Sequence, residues 1–217
     1  MSQYGIIFNA DRCIGCEACF VACKEENKVA PGMQWNKIRR VENVERNIIN
    51  YYRASCQHCE DPACMKVCPM KAIHQGKFGE VLVDQAKCIG CKMCLAACPY
   101  GAPLFNEKGV TNYFGDKEPL LKPTPKPHQV RTPGKAEHCT LCTHRLAEGR
   151  APACVENCST KALVLVDYES KDPKVREYIE RAVCLSEEAG TKPKVRYICS
   201  NMDLSLIHIS EPTRRVV

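Results

Sequence analysis

Eighteen cysteines in 217 residues, sixteen of them bunched into four groups, limit this chain more than any other feature. The first group reads CIGCEACFVAC over residues 13–23. Thiolates that close together can hold zinc, wrap an iron–sulfur cluster or pair into disulfides. Gaps of two and three residues are too short to staple distant loops, and a disulfide scaffold belongs to a secreted chain. The first 30 residues show no secretory signal, because Asp11, Glu17 and Glu25 interrupt any apolar core. Zinc prefers two separated C-x2-C knuckles or mixed Cys/His sets. This sequence gives dense three-plus-one groups instead, and His58, His138 and His144 lie nearby without completing any count. The pattern points to iron–sulfur clusters.

The groups are Cys13, Cys16, Cys19 and Cys23; Cys56, Cys59, Cys64 and Cys68; Cys88, Cys91, Cys94 and Cys98; Cys139, Cys142, Cys154 and Cys158. The third is followed by Pro99 and matches the bacterial ferredoxin run C-x2-C-x2-C-x3-C-P in full. In that run three thiolates on a tight loop take three corners of a cubane. The fourth lies one helical turn on, points away and ligates the neighbouring cluster. Gly90 is expected to let backbone pass close to the cluster, and Ile89 to shield it from water. The groups also repeat. IIFNADRCIGCEACFVAC (6–23) aligns with VLVDQAKCIGCKMCLAAC (81–98), and the second and fourth groups share Pro-Ala-Cys-x3-Cys-x2-Lys-Ala. The chain reads as a duplicated module.

Apolar runs place short strands at 6–9 and 81–84 before a group, and at 72–74 and 162–167 after one. QGKFGE (75–80) reads as a hairpin turn, and 37–42 with 48–54 as a second hairpin. The i, i+4 spacing of third and fourth cysteines puts both on one face of a helical turn, which Pro69 and Pro99 then end. Pro119, Pro123, Pro125, Pro127 and Pro133 are expected to break any regular element across 103–138, a spacer or a partner-binding arm. A helix over 174–188 and a strand over 194–198 follow.

The formal charge is +6. A 4Fe–4S core with four thiolates carries about −2, so four of them bring the loaded protein to about −2 and give the basic residues a countercharge role. The alternative, a zinc-stabilised nucleic-acid or scaffold protein, meets dispersed basic residues with few interleaved aromatics. No Gly-rich dinucleotide fingerprint, P-loop or Ser/His/Asp signature is present, and no run of 18 apolar residues. Cys184 and Cys199 stand outside the repeats and read as ordinary thiols.

The stretches CIGCEACFVAC, CQHCEDPACMKVCP, CIGCKMCLAACPYGAP and CTLCTHRLAEGRAPACVENC resemble the iron–sulfur electron-transfer subunit of the dimethyl sulfoxide reductase family of molybdopterin oxidoreductases. The resemblance spans residues 4 to about 167 and implies an α+β fold. That fold is two interleaved bacterial two-cluster ferredoxin-like domains with short strands, short helices and long loops. Residues 1–55 plus 136–203 would form one domain, 56–102 the other, and 103–135 a Pro-rich insertion. It implies four 4Fe–4S clusters with exchanged fourth ligands. These are Cys13, Cys16, Cys19 and Cys158; Cys56, Cys59, Cys64 and Cys98; Cys88, Cys91, Cys94 and Cys68; Cys139, Cys142, Cys154 and Cys23. Nitrate-reductase-like members replace one ligand with tryptophan. Here all sixteen positions are cysteine, and Trp35 lies outside the groups.

By the same resemblance the subunit performs no bond chemistry. It relays electrons between a molybdopterin-containing catalytic subunit and a membrane quinone-reactive subunit. A formate-linked hydrogenase or other cytoplasmic redox complex is the alternative host. Localisation follows the host: membrane-associated as part of a complex, on either the periplasmic side, by co-export with a catalytic subunit, or the cytoplasmic side, since the chain shows no signal of its own. The long 103–138 loop departs from close relatives and leaves the substrate open. A second departure is LSLIHISEPTR, 204–214, which matches a translated transposase sequencing adapter. Residues 204–217 are therefore expected to be a non-native tail.

Overall fold

A computed structural model describes residues 2–45, 47–107 and 124–200. The adapter-like tail and the proline-rich stretch 108–123 lie outside the described residues.

The chain opens with β1 (Tyr4–Asn9), whose middle residues are all buried. Such a run can only sit where both faces are covered. It is the central strand of a three-stranded sheet, antiparallel to β8 (Leu163–Asp167) and parallel to β9 (Val195–Ile198). Ile6 is registered against Leu165 and Val195. One face of the sheet packs Ile6, Phe8, Leu163 and Tyr197 against Cys19, Leu141 and Cys158. The other packs Ile7 against Val166 and Ile179 under the helix Pro173–Glu180. Ile7 is fully buried, which contributes about 1.5–3 kcal/mol.

Between these strands the elements are short. α1 (Ala18–Asn27) starts after Glu17 and ends on Lys28, both with positive φ. Cys19, Cys23 and Asn27 recur every four residues and share its buried face. β2 (Asn36–Asn43) and β3 (Ile48–Ser55) form an antiparallel hairpin. Arg53 and Ser55, two apart, turn inward from it. α2 (Ala63–Lys66) follows. β4 (Ile73–Gln75) and β5 (Val81–Val83) are joined through the Gly-rich turn, closed by Gly76 N–H donating to the Glu80 carbonyl at 2.7 Å. Then come α3 (Met93–Ala97), β6 (Leu104–Phe105), β7 (Ala136–Glu137), α4 (Thr143–Ala147) and α5 (Ala153–Glu156). Cys23 lies inside α1, whereas Cys68, Cys98 and Cys158 fall just past their short helices. No helix of the described residues is long and apolar enough to cross a membrane.

Two expectations change. The helix expected over 174–188 is α6 (Pro173–Glu180), opened by Pro173 and by Asp172, whose carboxylate accepts from Lys174 N–H at 2.9 Å. It stops early because Val183 is taken into a two-way bridge with Tyr197, at 2.9 and 2.8 Å. The stretch 103–138 is also less irregular than its prolines suggest. β6 pairs with β7 at its base, and a 3-10 turn, Pro127–Gln129, begins at a proline.

Candidate metal centres

The cysteines gather in four sets of thiols. Burial pushes Cys13 up, as do its neighbours Cys19, Cys158 and Cys16, with Gly15 N–H opposing. Cys19 is raised by burial and by Cys158, while Arg53 and the Asn36 side chain pull it down. Burial raises Cys23 well above the ordinary thiol range, and Cys139, Cys154 and Cys142 add to it. Cys59 and Cys64 are each pushed to about 12, by burial first and then by Cys56 and Cys98 among their neighbours. Cys94 reaches about 11 through burial, Cys88, Cys91 and Cys68. A thiol on the last turn of one cysteine group thus sits among the thiols of another.

The sets also act on one another in file. Cys154, pushed to about 12 by burial against the pull of Arg53, also feels Cys19. Cys139, raised by burial, feels Cys56. Cys64 feels Cys94. The two ends of the file are open: Cys16 and Cys91 are exposed, while Cys56, Cys59, Cys139, Cys142 and Cys154 are buried.

The spacing of these thiols tests what they could hold. Tetrahedral zinc at about 2.3 Å from each sulfur needs sulfurs about 3.8 Å apart. Among the described residues no three cysteine sulfurs gather within 4.8 Å of one another. The arrangement is too wide for a single ion and suits a larger inorganic core. The surrounding donors fit such a core as well. Arg53 Nε and Nη2 and Trp35 Nε1 are buried without a hydrogen-bond partner, and both residues line the enclosed space between Cys23, Cys139, Cys142 and Cys154. Asn27 Nδ2 lies 3.8 Å from the sulfurs of Cys23 and Cys142. Cluster sulfur is an acceptor for the Arg53 and Trp35 N–H groups, which have no nitrogen or oxygen partner.

Two details of the ferredoxin-type loops differ from expectation. Ile89 is 61% exposed and its repeat partner Ile14 63%, so they form apolar surface beside Cys91 and Cys16 rather than a buried shield. Gly90 has φ +75°, and a Cβ there would sit 2.4 Å from the Gly134 carbonyl oxygen. The close approach that requires glycine is to the returning 103–138 loop.

His58, His128 and His144 are structural. His58 is held neutral by burial, and its Nδ1 accepts from Val81 N–H at 3.1 Å. Glu26, His128 and His144 form the one set of such ligand atoms within 4.8 Å among the described residues. The two rings stack at 3.5 Å with planes 6° apart, so their in-plane lone pairs run parallel and do not converge on an ion. The trio is a brace. His144 and Arg145 donate to Glu26 at 2.8 Å each. Gln129 and Arg131 donate to the last carbonyls of α1, Glu26 O and Asn27 O, at 3.0 Å each, satisfying groups a helix end leaves open.

Sequence reasoning missed Arg53 and Lys194, both 1% exposed. A buried cation carries no spacing signal. The only hint was the countercharge that four clusters demand. Cys184 and Cys199 lie half-buried outside the four sets.

Residues 48–113 and 120–168 match the family model described as 4Fe-4S dicluster domain. The chain is 35% identical to the arsenate respiratory reductase iron-sulfur subunit ArrB of Shewanella sp. (strain ANA-3), over 91% of this chain and 97% of that one. It is 37% identical to the B component of the anaerobic dimethyl sulfoxide reductase of Escherichia coli (strain K12), over 75% and 72%. It is 33% identical to the B component of the selenate reductase of Mesobacillus selenatarsenatis, over 90% and 72%.

Proposed function

Since the chain belongs to the 4Fe-4S dicluster family, among the iron–sulfur subunits of the dimethyl sulfoxide reductase family, we propose that it is the electron-relay subunit of a membrane-associated molybdenum oxidoreductase. It would stand between a molybdopterin catalytic subunit and a membrane quinone-reactive subunit. When bound, 4Fe–4S clusters supply one-electron stores whose potentials follow local charge, hydrogen bonding and exposure. The observation that carries the reading is the file of thiol sets, in which Cys19 packs with Cys154, Cys139 with Cys56 and Cys94 with Cys64.

The ligands we assign are Cys13, Cys16, Cys19 and Cys158 at one end, then Cys139, Cys142, Cys154 and Cys23. Next come Cys56, Cys59, Cys64 and Cys98, and last Cys88, Cys91, Cys94 and Cys68. Exposed Cys16 and Cys91, each flanked by an exposed isoleucine, suit the ends to partner chains. The buried middle sets exclude water and oxidants from the path. Residues 1–55 with 136–203 would carry the first two clusters and 56–102 the others. The relatives' names carry arsenate, dimethyl sulfoxide and selenate at similar identity. That spread is expected if the substrate meets a different chain. Attachment to the membrane would come through the partner, with the side set by the export route of the catalytic subunit.

The test is anaerobic purification of the complex with iron, sulfide and molybdenum assays. About sixteen irons per chain and a molybdenum-containing partner are expected. Fewer than about twelve irons, or a nickel–iron partner, would refute the four-cluster or the molybdenum reading respectively.

A further inference from the structure

Arg53 heads the fully buried side chains of the described residues by size. It leaves β3 three residues before Cys56. Its guanidinium donates to the Ser55 hydroxyl through Nη1, and its backbone carbonyl accepts from the Tyr197 hydroxyl at 2.7 Å. Nε and Nη2 are buried with no nitrogen or oxygen partner; the Cys139 thiol lies beside the guanidinium, and no carboxylate is among the groups that act most strongly on it.

A buried cation without a counter-anion is a costly arrangement. The sulfurs around it can offset that cost. Arg53 lines the enclosed space among Cys23, Cys139, Cys142 and Cys154. The sets on either side adjoin that space: Cys154 packs with Cys19 in one buried cluster, and Cys139 with Cys56 in another. Arg53 acts on both of these neighbours, Cys19 and Cys56. One guanidinium thus stands where three thiol sets meet.

We propose that Arg53 is the shared countercation of three successive clusters, the one held by Cys139, Cys142, Cys154 and Cys23 and its neighbours on either side, held by Cys13, Cys16, Cys19 and Cys158 and by Cys56, Cys59, Cys64 and Cys98. In that place it raises all three reduction potentials. This rests on the relay reading above. The reduced form of a 4Fe–4S cluster carries one more negative charge than the oxidised form, so a fixed cation nearby stabilises it preferentially. N–H donation to cluster sulfur acts in the same direction. Sharing the charge ties the three potentials together. The far cluster, of Cys68, Cys88, Cys91 and Cys94, lies apart: Cys94 packs with Cys68 and Cys88 in a separate core cluster, and Arg53 does not line the space between these four cysteines.

The experiment is an anaerobic redox titration followed by electron paramagnetic resonance on the intact complex, comparing wild type with Arg53→Met and Arg53→Lys. Arg53→Met should cut the reduced-to-oxidised ratio of the Cys139-set cluster at a fixed poise at least tenfold. That is a midpoint about 59 mV lower for one electron. A smaller fall is expected for the Cys13-set and Cys56-set clusters and none for the Cys88-set cluster. Arg53→Lys keeps the charge on a shorter, differently shaped head and should give a smaller fall confined to the same three clusters. If Arg53→Met does not retain its iron, Arg53→Lys alone decides. Unmoved midpoints, or equal displacement of all four, would overturn the proposal. Wild-type protein without iron would instead refute the relay reading, so the two failures are distinguishable.

Discussion

Cys23→Ser tests the exchanged ligand most directly. Cys23 lies within α1, only four residues beyond Cys19, yet its sulfur is among Cys139, Cys142 and Cys154. The substitution should cost the fold little. A serine hydroxyl fits the buried space, and Asn27 Nδ2, already 3.8 Å from the sulfur, is available to it. A buried hydroxyl without a partner costs about 1–3 kcal/mol, and the bond to Asn27 offsets most of that. The cost to the metal centre is larger. A chain with about sixteen irons should fall to between about fifteen, if one corner is lost, and about twelve, if the whole cluster goes. The assay is iron and sulfide analysis with electron paramagnetic resonance on anaerobically purified complex. Cys142→Ser and Cys16→Ser serve as references. The resonance lost in Cys23→Ser should be the one lost in Cys142→Ser. Loss of the Cys16→Ser resonance instead, with the other intact, would refute the exchange.

Three further outcomes are expected. Gly90→Ala forces a side chain at φ +75° against the Gly134 carbonyl at 2.4 Å, whereas Gly32→Ala has a similar φ but nothing within 4 Å. The first should exceed the second, which carries only the left-handed penalty of about 1–2 kcal/mol, when cluster bleaching is followed on heating. Lys194→Met removes the ammonium that donates to the Gly79 carbonyl and, at 3.2 Å, to Gln3 Oε1. It should destabilise the β4–β5 turn by about 1–3 kcal/mol, seen as faster amide exchange over residues 76–80. The third is a pH effect on the docked stretch 126–131. His128 is held below its ordinary value of 6.5 by burial and by His144, with the Glu26 carbonyl and carboxylate opposing and Lys126 adding. A folded pKa below the unfolded one means the undocked state binds the proton more readily. Docking is therefore complete above about pH 6.5 and weakens as pH falls below it. Proteolysis near residues 126–131 should rise from pH 7.5 to 5.5, and His128→Gln should flatten that rise.

The internal repeat makes much of this molecule legible from residue order alone. Strands flank the cysteine groups because apolar runs abut them. Both hairpins fall where alternation and Gly-rich turns put them. What cannot be read that way depends on partners far along the chain. β1 is central because β9 returns to it, Val195 pairing with Ile6 across almost the whole chain. The early end of α6 follows from the Val183–Tyr197 bridge, a tertiary contact that overrides local propensity. Ile89 reads as a shield because it is apolar, but periodicity cannot tell a buried isoleucine from one reserved for a partner. The role of Arg53 is hidden because β3 alternation shows which face a residue takes, not what waits there.

The sheet has a consequence for biogenesis. β1 finds its strand partners in β8 and β9. β1 ends at Asn9 and β8 begins at Leu163, so at about 5–20 residues per second roughly 8–30 s separate their synthesis. Through that interval the nascent chain displays Cys13, Cys16 and Cys19 as three loose thiols, open to oxidants and to stray metals. On the ligand assignment proposed above, cluster delivery to these early cysteines would wait until the ribosome has made Cys158 and the strand β8 that follows it.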